Sequence, residues 1–340
     1  MDGDRDHGDL GDSSLTLSSG VAIREQEVVA SGKEGLPLGG TLVRPPRVPA
    51  MLLLQGSGPV DRDGNIPGVF ATDLEKQIAE ALAAAGIASL RCDKRGGYAN
   101  RTQLPKDREA LAAFQDWNNF VDDAAGAWRF LRDQPGIDPQ RAGIFGHSEG
   151  GMIALAAARQ LLDAGEAPAA LVLAATPGRP MSEVLHQQLA QLMERKGLKP
   201  DKAAHLLQIV KDIHREITES GRIPEDIPDI FKPLYRPELS RYWHSLMQLD
   251  PAELAGLFPG PVLVVEGTAD TQVSAREDAL ALDAALSERA ADDHDLLIVP
   301  RVGHALTPVD VPQDRAEAAP IKPSLVREIT AWVKEKLAEA

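Results

Sequence analysis

Short apolar runs and longer stretches with helical spacing alternate along most of this chain. Residues 21–30 and 36–44 flank the polar turn Ser31-Gly32-Lys33-Glu34-Gly35 and predict an antiparallel hairpin. Residues 51–54 predict a buried strand that runs into a glycine-rich loop, Gln55-Gly56-Ser57-Gly58-Pro59. A helix is expected over 73–85 and a strand over 87–91. Residues 116–133 carry Phe120, Ala124, Ala127, Trp128 and Leu131 at helical spacing. Then come a strand at 141–145, a helix at 152–162 and a strand at 170–174. This rhythm predicts an α/β protein with a mostly parallel sheet and helices on both faces.

The rhythm breaks from 178 to 258, where no strand pattern appears. Leu185, Leu189, Leu192 and Met193 share one face of a predicted helix over 182–196. Leu206, Ile209, Val210, Ile213 and Ile217 share one face of another over 201–220. A proline-studded stretch, 223–237, precedes a helix over 240–249, and Asp250-Pro251 opens a further one. Alternation returns with a strand at 261–265, a helix at 274–287, a strand at 296–299 and a helix at 324–337. The predicted organisation is a core domain of residues 21–177 and 259–340 with a helical insertion over 178–258. An insert of this kind between parallel strands is expected to act as a lid; the alternative is a helical decoration.

Composition narrows the picture. The 340 residues are 43% hydrophobic but only 4% aromatic, so aliphatic residues and alanine must fill the core. The formal net charge of -15 argues against nucleic acid and anionic membranes as partners and leaves a small molecule as the expected one. Residues 1–20 hold five Asp and one Arg among Gly and Ser, which predicts a disordered acidic tail rather than a secretory signal. No run approaches the length of a membrane span. The single cysteine, Cys92, excludes an intramolecular disulfide and fits a cytoplasmic location. No cluster of His, Asp and Glu has metal-ligand spacing, so neither a metal nor an organic cofactor is expected.

Candidate chemistry centres on Gly146-His147-Ser148-Glu149-Gly150-Gly151, between a predicted strand and a predicted helix. A serine between glycines at such a junction reads as a nucleophile elbow, with Ser148 as nucleophile. A serine hydroxyl needs a base, and the base an orienting acid, supplied in that setting by loops after later strands. Of the eight histidines, only His304 follows the last predicted strand at the end where the elbow opens. Asp270 follows the preceding strand and is the expected acid; Glu266, at the strand end, is its rival. The backbone N–H groups of Glu149 and of Ser57 are the expected donors to a developing oxyanion. Asp61-Arg62-Asp63 and Asp93-Lys94-Arg95 leave the sheet at the same edge as the elbow. They can meet in one ion-pair network or remain solvated. Phe231, Leu234, Tyr235 and Trp243 are expected either to line a substrate pocket or to pack the insert onto the core.

Three motifs together carry a resemblance: Gly56-Ser57-Gly58-Pro59-x-Asp61-Arg62-Asp63-Gly64, Asp93-Lys94-Arg95-Gly96 and the elbow. Residues 36–178 and 260–338 resemble the α/β-hydrolase superfamily. The motif set is similar to bacterial serine carboxylesterases near the dienelactone-hydrolase and serine-aminopeptidase-like groups. Gln55 departs from the pattern, standing where many relatives have histidine; Cys92 replaces a common aromatic. The resemblance implies a serine esterase that acts on small-molecule esters through Ser148, His304 and Asp270. A peptidase or amidase with the same triad is the alternative, with Glu183, Glu194 or Glu225 available to hold a substrate amine. A non-catalytic binding protein on this fold is a further one.

Overall fold

The computed structural model describes residues 12–16, 22–44, 48–291, 293–310 and 320–339. Strands β1 (Asp12–Thr16), β2 (Ala22–Ser31) and β3 (Pro37–Arg44) form an antiparallel edge. β4 (Val48–Leu54) leads through helix α1 (Leu74–Ala84) to β5 (Ala88–Cys92). Helices α2 (Arg108–Phe114) and α3 (Trp117–Arg132) precede β6 (Ile137–His147), α4 (Glu149–Asp163) and β7 (Leu171–Ala174). The sheet order is β1-β2-β3-β5-β4-β6-β7-β8-β9, and neighbours from β5 through to β9 are parallel.

Between β7 and β8 (Val262–Gly267) lie only helices and turns: α5 (Met181–Arg195), α6 (Pro200–Ser220), α7 (Ser240–Met247) and α8 (Pro251–Leu257). The chain closes with α9 (Leu280–Ser287), β9 (His294–Val299) and α10 (Pro323–Glu339). Among the described residues no helix is long and apolar enough to cross a membrane.

Two-residue periodicity divides the central strands between two cores. Leu52, Ile144, Leu173 and Val264 enter one core with α3, α4 and α9. Met51, Leu53, Phe145, Val172 and Val265 enter the other with α1 and α10. Both faces are thereby covered, and the polar loops are pushed to the strand ends. The insert's Val210, Ile213, Ile217 and Leu246 join the first core, so it packs as a continuation of the sheet's helical layer.

Two local expectations change. Residues 12–16 fall within the stretch expected to be a disordered tail but form β1, with Asp12 opposite Gln26 and Thr16 opposite Ala22. Pairing there satisfies the backbone groups that β2 would otherwise leave open at the sheet edge. The remainder of the tail lies outside the described residues. The helix expected over 274–287 opens with a π-wound turn, Ala275–Ala279. Its fully buried Asp278 is drawn inward to accept from the N–H groups of Gly178, Arg179 and Ser274 and from the Arg179 guanidinium.

Candidate active site

Ser148 sits between the end of β6 and the start of α4 with φ 55° and ψ -121°. A non-glycine residue held there stores backbone strain, which the surrounding packing must impose. The glycines permit it. A Cβ on Gly146 would collide with the Gly150 backbone, and one on Gly150 with the Leu54 carbonyl. The turn thus packs directly on the end of β4 and lifts the serine to the sheet's edge, where Ser148 is 9% exposed.

His304 follows β9, and its Nε2 lies 3.1 Å from Ser148 Oγ. Its Nδ1 lies 2.7 Å from Asp270 Oδ2. Asp270 follows β8, and its other oxygen accepts from the N–H groups of Gln272 and Val273 at 2.6 and 3.0 Å. Burial alone would raise the Asp270 carboxyl; the His304 hydrogen bond and charge, with those two N–H groups, outweigh it and hold the carboxyl below its usual range. The structure therefore brings Ser148, His304 and Asp270 into one hydrogen-bonded line.

Glu266, the rival acid, is also buried, but its Oε1 accepts from the Gly267 N–H at 2.8 Å. Burial first, then the Asp270 charge, push it well above the usual carboxylate range, so at neutral pH it is a neutral acid hydrogen-bonded to Asp270. His147, beside the nucleophile, is missed by motif reasoning. Its Nε2 lies 2.8 Å from the His304 carbonyl oxygen. Burial, reinforced by His304, pushes it down to about 3, so the ring is neutral and Nε2 carries the donated hydrogen.

The glycine-rich loop after β4 reaches the elbow. A Cβ on Gly56 would lie 3.3 Å from that of Ser148. Ser57 is exposed beside it, and Glu149 is buried at the first position of α4. The charged clusters meet rather than remain solvated. Arg62 binds Asp93 through its backbone N–H and its guanidinium at 2.9 and 2.8 Å. Arg91 reaches Asp63 at 2.6 Å, and Arg95 grips Asp123 at 2.7 and 2.8 Å. Lys94 contacts Glu149 at 3.1 Å.

The four apolar insert residues pack within the first core. Phe231, Tyr235 and Trp243 are 2%, 1% and 6% exposed, and Leu234 packs against the same core. Tyr235 contacts the rings of Phe231, Trp243 and His214, and it bonds His214 at 2.6 Å. These contacts are those expected of residues that pack the insert onto the core. Their neighbour Tyr242 reaches the elbow, where its hydroxyl donates to Glu149. Glu194 and Glu225 are exposed, and Glu183 lines a polar cavity of about 730 Å³ with Arg179, His186 and Lys211.

Residues 72–308 match the family model described as serine aminopeptidase, S33. The chain belongs to that family. It is 31% identical over 230 residues to esterase EstD of Thermotoga maritima. That match takes in 67% of this chain and 48% of EstD, so the chain spans about half the length of the curated relative it matches. Among solved structures, this S33 chain is similar to acetyl xylan esterase from Paenibacillus sp. R4, with TM-score 0.56 and 18% identity over 96% of this chain and 88% of that one. It is also similar to Est1E from Butyrivibrio proteoclasticus, with TM-score 0.53 and 16% identity over 92% and 98%. At such identities the likeness is one of fold, the α/β-hydrolase fold.

Proposed function

We propose that the protein is a serine hydrolase that cleaves carboxylic esters through an acyl-enzyme. The observation that carries this reading is the hydrogen-bonded line from Ser148 through His304 to Asp270, at 3.1 and 2.7 Å. His304 Nε2 takes the Ser148 proton as Oγ attacks the ester carbonyl. Asp270 fixes the tautomer with hydrogen on Nδ1 and stabilises the imidazolium that forms. The N–H groups of Glu149 and Ser57 hold the oxyanion. His304 then protonates the departing alcohol and afterwards activates the water that frees the acid.

Ester rather than amide is favoured by the likeness to EstD, a relative named as an esterase. The insert over 178–258 acts as the lid, and the single, half-buried cysteine suits a reducing cytoplasm. A fluorophosphonate probe should label the protein at Ser148, and short-chain esters should compete better than aminoacyl amides. Preferential competition by the amides would favour the peptidase reading that the family's description suggests. No labelling at all would leave a binding protein on this fold.

A further inference from the structure

Lys94 touches both segments that would cradle an oxyanion. Its Nζ donates to the Gly56 carbonyl at 2.6 Å and to the Glu149 carboxylate at 3.1 Å. The second oxygen of Glu149 accepts from the Tyr242 hydroxyl of α7. The Lys94 side chain is 16% exposed and that of Glu149 is 4% exposed, so water competes weakly for these bonds. Gln55 adds a second clamp on the loop, donating to the Cys92 carbonyl at 2.9 Å.

The Gly56 carbonyl and the Ser57 N–H belong to one peptide unit. In a planar trans peptide the two groups point in opposite directions. Holding the carbonyl on one side therefore fixes where the N–H points on the other. A cation on the carbonyl also polarises the peptide and strengthens its N–H as a donor. The other donor, the Glu149 N–H, starts the helix whose first side chain grips the same lysine.

We propose that Lys94 is the positioning residue of the oxyanion hole, turning the Ser57 N–H toward the reacting carbonyl, and that Tyr242 of the insert braces it through Glu149. The inference rests on the hydrolase reading above and adds to it a link between the insert and the donor geometry. It also accounts for a charged pair beside the nucleophile that proton transfer does not use.

The test is Lys94→Met, which keeps the aliphatic stem and removes the donor. Turnover of a short-chain p-nitrophenyl ester and binding of an alkylboronic acid, whose tetrahedral adduct on serine carries the oxyanion, are measured together. Loss of a whole oxyanion donor costs about 10²–10³ in kcat, so misorientation of one should cost about 10- to 100-fold. Boronate affinity should fall by a similar factor while KM moves little. A lesion that only loosens the fold would lower the melting temperature without this split. Tyr242→Phe should show the same split, smaller in size. If Lys94→Met leaves Glu149 too poorly paired to fold, Lys94→Met combined with Glu149→Gln removes the stranded charge and carries the measurement. A folded variant with wild-type kcat and boronate affinity overturns the inference alone. A wild type that binds no boronate and takes no fluorophosphonate overturns the hydrolase reading and this inference with it.

Discussion

Glu266 lies buried against Asp270 at the carboxyl end of β8, and at neutral pH one carboxyl keeps its proton while the other is ionised. The division follows from their partners. Asp270 has His304 and two backbone N–H groups to stabilise its charge. Glu266 has one backbone N–H and a charged neighbour of its own sign. Two carboxylates this close cannot both ionise cheaply, so the worse-solvated one stays neutral.

That proton has a consequence for stability. Glu266 in the unfolded chain ionises near its ordinary value, about 4.3, whereas in the folded chain it stays protonated well above it. The folded state therefore binds more protons, and this contribution to stability is present at low pH and lost as pH rises through the raised value. Glu266→Gln is always neutral, keeps an acceptor for Gly267 and offers an N–H to Asp270. Its melting temperature should match wild type near pH 5 and exceed it increasingly toward pH 9. Parallel pH curves for the two proteins would mean Glu266 is ionised in the fold.

Asp270→Asn should damage turnover far more than Glu266→Gln. An amide at 270 can present its NH₂ to His304 and favour the tautomer that cannot accept the serine proton. A loss of about 10²–10⁴ in kcat is expected, against less than about 10-fold for Glu266→Gln. If Glu266→Gln is the worse variant at equal stability, the acid assignment moves to Glu266.

Elements whose signal is local were legible in the sequence. The predicted helix over 116–133 becomes α3, with Asp116 capping its start and Asp133 following its end. The elbow was legible because its glycines, serine and flanking periodicities are contiguous. The order of strands brought the acid and base loops to one edge without any contact being known. What stayed hidden depends on partners distant in sequence. Tyr242 is no different in pattern from its neighbours, yet it donates to Glu149 across the insert boundary. The protonation of Glu266 depends on burial, which a strand-end position leaves open. The π-wound turn before α9 carries Asp278, which pairs with Arg179 across about a hundred residues, a pairing no spacing rule contains.

Ser148→Ala should abolish fluorophosphonate labelling and lower kcat by about 10³–10⁶ while leaving the fold intact. Removing a side chain at φ 55° does not relieve the backbone, because alanine meets the same strain. Near-wild-type ester turnover in a folded variant would remove Ser148 from the mechanism.

Phe231→Ala should act through stability rather than specificity. The ring is 2% exposed and packs edge-on to Tyr235. Emptying such a site costs about 3–5 kcal/mol. The preference among acyl-chain lengths should stay as in wild type while the melting temperature drops. A changed chain-length profile at unchanged stability would return Phe231 to the substrate pocket.

His147 should make the protein sensitive to acid. Its ring is buried and neutral, and burial, with His304 beside it, pushes its pKa down to about 3. In the unfolded chain a histidine titrates near 6.5. Between those values the unfolded state binds the extra proton, so stability is fully present above about pH 6.5 and is lost as pH falls toward 3. The steepest part of that loss is about 1.4 kcal/mol per pH unit from this one group. His147→Gln offers a non-titrating N–H to the His304 carbonyl that Nε2 now holds at 2.8 Å. Denaturant unfolding from pH 7 to pH 4 should therefore show a shallower decline for the variant than for wild type. The comparison also tests the tautomer. If Nε2 carries the hydrogen, Gln at 147 keeps the loop bearing His304 in place and kcat changes little at pH 7, whereas His147→Ala loses the donor and lowers kcat. Equal pH slopes in wild type and His147→Gln would show that the ring is solvated and free to charge, contrary to its burial.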